Sequence, residues 1–201
     1  MDLDTIEKIY TGRSPGTIGN HRFYSVLVPF VAEDDGVSVL YEVRASGINQ
    51  PGEVCFPGGH IEKCESPEDC AVRETCEEVG ISRSTIKIFG AGDTLQGAGF
   101  TLYTFTGAIE DTAHMTPDPE EVSEIFTVPL DKLLTAKPEH YCEKMAPEIA
   151  KDFPYEKVGI DRNYPWRTTE HDIPIYDIDG RIIWGMTARI TENMTRIIAD
   201  V

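Results

Sequence analysis

The chain has 201 residues, 40% of them apolar, which is enough for one substantial domain with an ordinary core. Acidic residues outnumber basic ones 35 to 18, a net charge of −17. That balance argues against nucleic acid or an anionic membrane as the main partner, because both are met by clustered Lys and Arg. Cys55, Cys64, Cys70, Cys76 and Cys142 are odd in number and form no C-x-x-C pair. Neither a disulfide framework nor a zinc knuckle is expected, and a reducing, cytoplasmic setting is. The first residues, MDLDTIEKIYTG, lack an apolar signal core, and the apolar-rich run 25–32 is too short to span a bilayer.

In chain order, residues 23–31 and 37–44 read as strands joined by a turn at AEDDG. A Gly/Pro-punctuated loop follows, with a short strand at 54–56, and then a helix. Residues 85–95 and 100–109 are rich in β-branched and aromatic types and read as a hairpin or meander, with Gly97 and Gly99 at its turn. Tyr103 and Phe105 in this region, and Trp184 further on, are expected in the core. An acidic loop, EDTAHMTPDPEE, leads to a strand at VSEIFTVPL, and PLDKLLTA starts a short helix. Residues 137–171 read as an irregular insertion. IPIYDIDGRIIWG reads as a hairpin turning at Asp179-Gly180, and MTARITENMTRIIADV as a last helix. This order predicts a mixed sheet flanked by helices, an α/β fold in one domain over 1–201.

The helix after the first loop carries the chemistry. Ser66 suits its N-cap, Pro67 its first position and Gly80 its left-handed stop, giving a helix over about 67–78. At about 100° per residue, Val72, Thr75, Cys76 and Val79 share one face, and Glu74, Glu77 and Glu78 fall opposite. Taken alone, three such carboxylates are either a solvated acidic face or hard oxygen donors for Mg²⁺ or Mn²⁺. The spacing from Gly59 is G-x5-E-x7-R-E-x-x-E-E-x-G-hydrophobic, filled by Gly59, Glu65, Arg73, Glu74, Glu77, Glu78, Gly80 and Ile81. This resembles the Nudix box, over 59–81, with Thr75 where that family usually has an aliphatic residue.

The resemblance implies an α/β/α sandwich with a mixed central sheet that hydrolyses diphosphates with Mg²⁺ or Mn²⁺. Glu74 and Glu78 become the principal metal ligands, and Glu77 a further ligand or an activator of the attacking water. Arg73 orients the carboxylates, and Gly59 leaves room beside them. A general base outside the box is expected in the acidic loop, with Glu121 ahead of Glu120 and Glu124.

Upstream, Leu40, Arg44, Ala45, Gly52, Phe56, Pro57, Gly58 and Gly59 match the outline of a signature that coenzyme A diphosphatases of this family carry. Tyr41 and Glu42 depart from it, and its second Arg is missing. The element Trp184-Gly185-Met186-Thr187-Ala188 also resembles that subfamily. The likeness implies a coenzyme A-like diphosphate as substrate, cleaved to 3′,5′-ADP and 4′-phosphopantetheine. Arg44, Gly58 and Gly59 would contact it, with Arg44 at the 3′-phosphate or, failing that, in a salt bridge at a strand end. Two alternatives stay open: a pyrophosphatase for ADP-ribose, NADH or a nucleoside triphosphate, and an inactive sensor of such a ligand. The oligomeric state is open too, a homodimer being admissible.

Overall fold

A computed structural model describes residues 1–201. Its centre is a mixed eight-stranded sheet built outward from β1 (Arg22–Glu33). β1 turns through Asp34-Asp35 into β2 (Gly36–Arg44), with Glu33 opposite Gly36. Two short strands follow, β3 (Val54–Cys55) against β2 and β4 (Gly58–His60) against β1. Helix α2 (Pro67–Val79) comes next, α1 being a solvent-exposed helix at Leu3–Tyr10 that is absent from the elements expected in chain order. β5 (Ile86–Ala91) and β6 (Leu95–Gly97) both pair antiparallel with β7 (Phe100–Ile109), so the expected hairpin is present and Ala98-Gly99 is its turn. β7 in turn runs parallel to β1 over ten registered pairs, Arg22↔Phe100 to Val31↔Ile109. β8 (Val122–Pro129) closes on β2, and α3 (Leu130–Thr135) follows it.

The stretch 137–171, expected to be irregular, contains β9 (Glu139–Met145) and the one-turn α4 (Tyr155–Val158). Every residue of β9 is exposed, so it lacks the apolar alternation by which a strand shows itself in sequence. It is held by backbone pairing to β10 (Thr169–Ile178), which also pairs with β11 (Arg181–Trp184). The β10–β11 turn falls at Asp179-Gly180 as expected, both with positive φ, as a tight two-residue hairpin turn requires. α5 (Gly185–Ala199) ends the fold.

Alternation in the strands sorts the core into two layers. Leu27, Val31, Leu40, Phe105 and Ile109 pack on Ala71 and Val79 of α2. Val28, Val39, Tyr41, Phe56, Leu102 and Val128 pack on the opposite side with Ile183, Ala188 and Met194 of β11 and α5. The sheet therefore lies between α2 on one face and α5 with the β9–β11 sheet on the other, the expected α/β/α sandwich. The alternation of β2 has a chemical consequence. Val39 and Tyr41 point toward α5, so Leu40 and Glu42 point toward α2.

Candidate active site

α2 starts and stops where its sequence says it should. The Ser66 hydroxyl accepts from the Asp69 N–H at 3.1 Å, Pro67 occupies the first turn, and Gly80 ends the helix in the left-handed region. A side-chain cap of this kind contributes about 1 kcal/mol. Thr75 is fully buried, yet its hydroxyl donates to the Ala71 carbonyl at 2.7 Å, so the polar atom at an aliphatic position is satisfied within the helix.

The carboxylates on α2 are not equivalent. Glu77 is exposed and Glu74 half-buried, but Glu78 is 5% exposed. The expectation that all three lie opposite the packed face is thus corrected for Glu78. The buried arc of α2 runs from Ala71 through Val72, Thr75 and Val79 and is wide enough to take in Glu78. Cys76, placed on that face by periodicity, is only partly covered.

Two glycines make room for these side chains. The Gly58 N–H donates to Glu78 Oε2 at 2.7 Å. A Cβ on Gly58 would overlap the β1 backbone at Ser25 and Val26, and one on Gly59 would overlap the Glu74 carboxylate. Gly59→Ala is therefore expected to push Glu74 aside. Its Mg²⁺ affinity, measured by calorimetry, should fall about 10–100-fold, the cost usual for disturbing a ligand's support, while the metal-free melting temperature changes little. Unchanged affinity would show that Glu74 holds no ion.

Arg73 organises the exposed side. Its Nε and one amino group hold Glu65 at 2.8 and 3.1 Å, the other amino group reaches Glu74 at 2.8 Å and Glu77 at 3.0 Å, and the His60 carbonyl lies at 3.3 Å. The hydrogen bonds from Arg73 bring the Glu65 carboxyl down to about 2. Burial works the other way on Glu74, whose pKa is raised despite the guanidinium.

Sequence reasoning marks Glu42 only as a departure from a signature. The structure places it at the centre of the site. It is 1% exposed, its Oε1 accepts from the Cys55 thiol at 3.3 Å, and its Oε2 has no partner. Burial raises its pKa to about 7, and the charges of Glu121 and Glu74 push in the same direction. Glu78 is raised to about 9, by burial first and then by Glu42. A buried carboxylate oxygen without a hydrogen-bond donor is costly unless something positive meets it. Glu42, Glu74 and Glu78 are hard oxygen donors, the type of ligand that a hard divalent cation takes. The alternating pattern of β2 was the available signal for Glu42, since an acid at an inward position asks for a partner.

The acidic loop delivers Glu121 to this cluster. The Asp118 N–H donates to the Glu78 carbonyl at 3.1 Å, the Ala45 N–H to the Glu121 carbonyl at 2.8 Å, and the Glu121 charge is felt at Glu42, Glu74 and Glu78. Glu124 is instead clamped by Arg181 at 2.6 and 3.1 Å. No contact draws Glu120 to the cluster beyond its own N–H donating to Asp118.

Arg44, Gly58 and Gly59 line one cleft of about 710 Å³, shared with Phe56, Trp184 and Arg189. Trp184, expected in the core, is 40% exposed because it ends β11 at this cleft. Tyr103 and Phe105 do pack against the α2 side of the sheet, as expected. Arg44 donates from Nε to the Asn49 carbonyl at 2.8 Å and faces Cys55, which fastens it to the cleft wall. A second group, His140, Asp172 and Glu192, brings its ligand-type atoms within 4.8 Å of one another. Both ring nitrogens there face carboxylates, Nδ1 to Asp172 at 2.7 Å and Nε2 to Glu192 at 3.3 Å. The hydrogen bond to Asp172 raises the pKa of this imidazole, and while both ring nitrogens donate it offers no lone pair to a metal. It ties β9 and β10 to α5.

The profile of the NUDIX domain family matches residues 21–147, most of the chain and all of the carboxylate cluster. The chain is a Nudix hydrolase. Among Nudix relatives, the mouse peroxisomal coenzyme A diphosphatase NUDT7 is 32% identical over 180 residues, 88% of this chain and 70% of that one. The human mitochondrial coenzyme A diphosphatase NUDT8 is 27% identical over 87% of this chain and 69% of that one. Nudix hydrolase 3 of Caenorhabditis elegans is 34% identical over 116 residues, 55% of this chain, and the chain spans about half its length, 48%. A MutT/nudix family protein from Enterococcus faecalis superposes with a TM-score of 0.50 over 99% of this chain and 70% of that one, at 15% identity, a likeness of fold. No helix of this Nudix protein is long and apolar enough to cross a membrane.

Proposed function

We propose that the enzyme hydrolyses the diphosphate of coenzyme A or its derivatives, releasing 3′,5′-ADP and 4′-phosphopantetheine, with Mg²⁺ or Mn²⁺ held by Glu74, Glu77 and Glu78. The observation that carries this reading is a cleft lined by Arg44, Phe56, Gly58 and Gly59, whose two glycines reach the carboxylates behind it, Gly58 donating to Glu78 and Gly59 lying against Glu74. Its volume, about 710 Å³, lies within the range of sites for extended small ligands. Two relatives that match most of the chain carry the name coenzyme A diphosphatase. The departure at Tyr41 does not bear on the substrate. That ring is fully buried, stacks on Phe56 with centroids 4.8 Å apart, and bonds the Thr191 hydroxyl at 3.0 Å on the side away from α2.

In the reaction, water attacks one phosphorus of the P–O–P bridge and the bond from that phosphorus to the bridging oxygen breaks. The proton leaves the water for a carboxylate, for which Glu121 is positioned by its loop and Glu77 by its exposure. A bound divalent cation supplies neutralisation of the diphosphate charge and polarisation of its phosphorus–oxygen bonds. Arg73 keeps Glu74 and Glu77 in place throughout, and Gly58 holds Glu78.

The test is a panel of coenzyme A, 3′-dephospho-coenzyme A, ADP-ribose and NADH with Mg²⁺ or Mn²⁺. Coenzyme A is expected to show the highest kcat/KM. A clear preference for ADP-ribose or NADH would move the enzyme to the alternative reading, and hydrolysis of none would favour the inactive sensor.

A further inference from the structure

In a chain of net charge −17, a half-buried cation without an anionic partner is conspicuous, and the cleft holds one. Of the residues lining it, Arg44 and Arg189 are the two that carry full positive charge. Arg44 is engaged with Asn49 and Cys55 and lies beside Glu42, on the carboxylate side. Arg189 is different. Arg73, Arg83, Arg181 and Arg196 form ion pairs, and Arg13, Arg22, Arg162 and Arg167 form none but are exposed, whereas the Arg189 guanidinium is partly buried, makes no ion pair and donates no hydrogen bond.

Its position is fixed nonetheless. On one side of it along α5, the Thr187 hydroxyl donates to the Val54 carbonyl at 3.0 Å. On the other, the Asn193 amide donates to Asp93 at 3.0 Å. Of the acids that line the cleft or the adjoining groove, Asp93 is occupied by Asn193, Glu53 by Gln50 at 3.3 Å and Asp172 by His140 at 2.7 Å, and the exposed Glu143 makes no contact with Arg189. Arg189, Leu95 and Ile190 line both the cleft and a second, mostly apolar groove of about 850 Å³ that runs along α5. Arg189 therefore stands where the cleft meets that groove.

We propose that Arg189 receives a substrate phosphate that lies apart from the diphosphate, and that Arg44 serves the diphosphate itself. This rests on the coenzyme A reading, in which that second phosphate is the one on the ribose 3′ position. It would supply the cation that the upstream segment lacks, from a helix more than a hundred residues later, so no local spacing rule could have found it. A planar guanidinium suits the task because it can donate two parallel hydrogen bonds to one phosphate.

The experiment measures binding, with Mg²⁺ present, of 3′,5′-ADP and 5′-AMP, which differ by the phosphate in question, and it needs no turnover. A charged hydrogen bond of this kind corresponds to about a 10–100-fold preference for 3′,5′-ADP in the wild type. Arg189→Ala should collapse that ratio toward one, Arg189→Lys should restore part of it, and Arg44→Ala should weaken both ligands while keeping it. Arg189→Gln, which keeps an extended polar side chain, replaces the Ala variant if α5 loosens, as the melting temperature would show. A ratio that survives in Arg189→Ala and Arg189→Gln, or one abolished by Arg44→Ala instead, overturns the assignment. A wild type that binds the two equally overturns it as well. The substrate panel decides the coenzyme A reading independently, since an enzyme that cleaves coenzyme A yet keeps its preference without Arg189 disproves only this inference.

Discussion

Glu78→Gln is expected to lower kcat about a hundredfold or more while leaving the metal-free protein folded. Outer-shell partners of metal ligands already cost about 10–100-fold when removed, and a direct ligand stands at or beyond that limit. The fold should survive because Glu78, with its pKa raised to about 9 by burial, is largely protonated at neutral pH when no cation is present. The Gln amide is nearly the same shape as the neutral acid, and its carbonyl oxygen can still accept from the Gly58 N–H. The melting temperature at pH 7 without metal should therefore stay within about 2 °C of wild type, less than about 1 kcal/mol would produce. Relief of repulsion with Glu74, a natural expectation from i, i+4 spacing, contributes little if one partner is uncharged. Wild-type turnover at saturating Mg²⁺ would remove Glu78 from the reaction.

The second large effect is a dependence of metal stabilisation on pH. Glu78 and Glu42 both have folded-state pKa values above the ordinary 4.5, at about 9 and about 7. A carboxyl raised in this way favours the folded state fully below its unfolded pKa and loses that contribution as pH climbs through the folded one. The metal-free enzyme should thus become less stable from about pH 4.5 to about pH 9. Divalent cations bind the ionised carboxylates, so their affinity rises over the same interval and binding releases protons at neutral pH. At a free concentration of 100 times its dissociation constant, one site adds about 2.7 kcal/mol. The rise in melting temperature at fixed millimolar Mg²⁺ should be larger at pH 8.5 than at pH 6, and calorimetry in buffers of different ionisation enthalpy should detect the released proton. A shift independent of pH would place the ion away from Glu78.

Much of α2 could be read from sequence because its signals are local. Ser66, Pro67, Asp69 and Gly80 act within a turn of themselves, and the box fixes Gly59 against Glu74 by spacing alone. What could not be read depends on which element covers which. The side of α2 that takes in Glu78 is decided by β2 and the 58–60 segment lying over it, and periodicity gives the direction of a side chain but not the width of the surface it meets. Glu42 belongs to the site through the pleat of β2 against a helix thirty residues on. β9 was hidden because its side chains all face solvent, and Trp184 was misplaced because a strand end opens onto the cleft.

The parallel pairing of β1 with β7 also bears on how the chain reaches this state. The two strands are registered at Arg22↔Phe100, positions 78 apart in sequence, and that loop must be closed before the middle of the sheet exists. Contacts so far apart in sequence slow folding, since their entropy is lost before their energy is gained. The layer that covers the far side of the sheet, Ile183, Ala188, Ile190 and Met194, comes from still later residues. A nascent chain emerging from the ribosome would therefore hold Val28, Val39 and Phe56 uncovered until α5 had been made. Chaperone demand and aggregation during expression should track the supply of α5, and a frameshift after β8 should leave an insoluble product even with every residue of the carboxylate site intact.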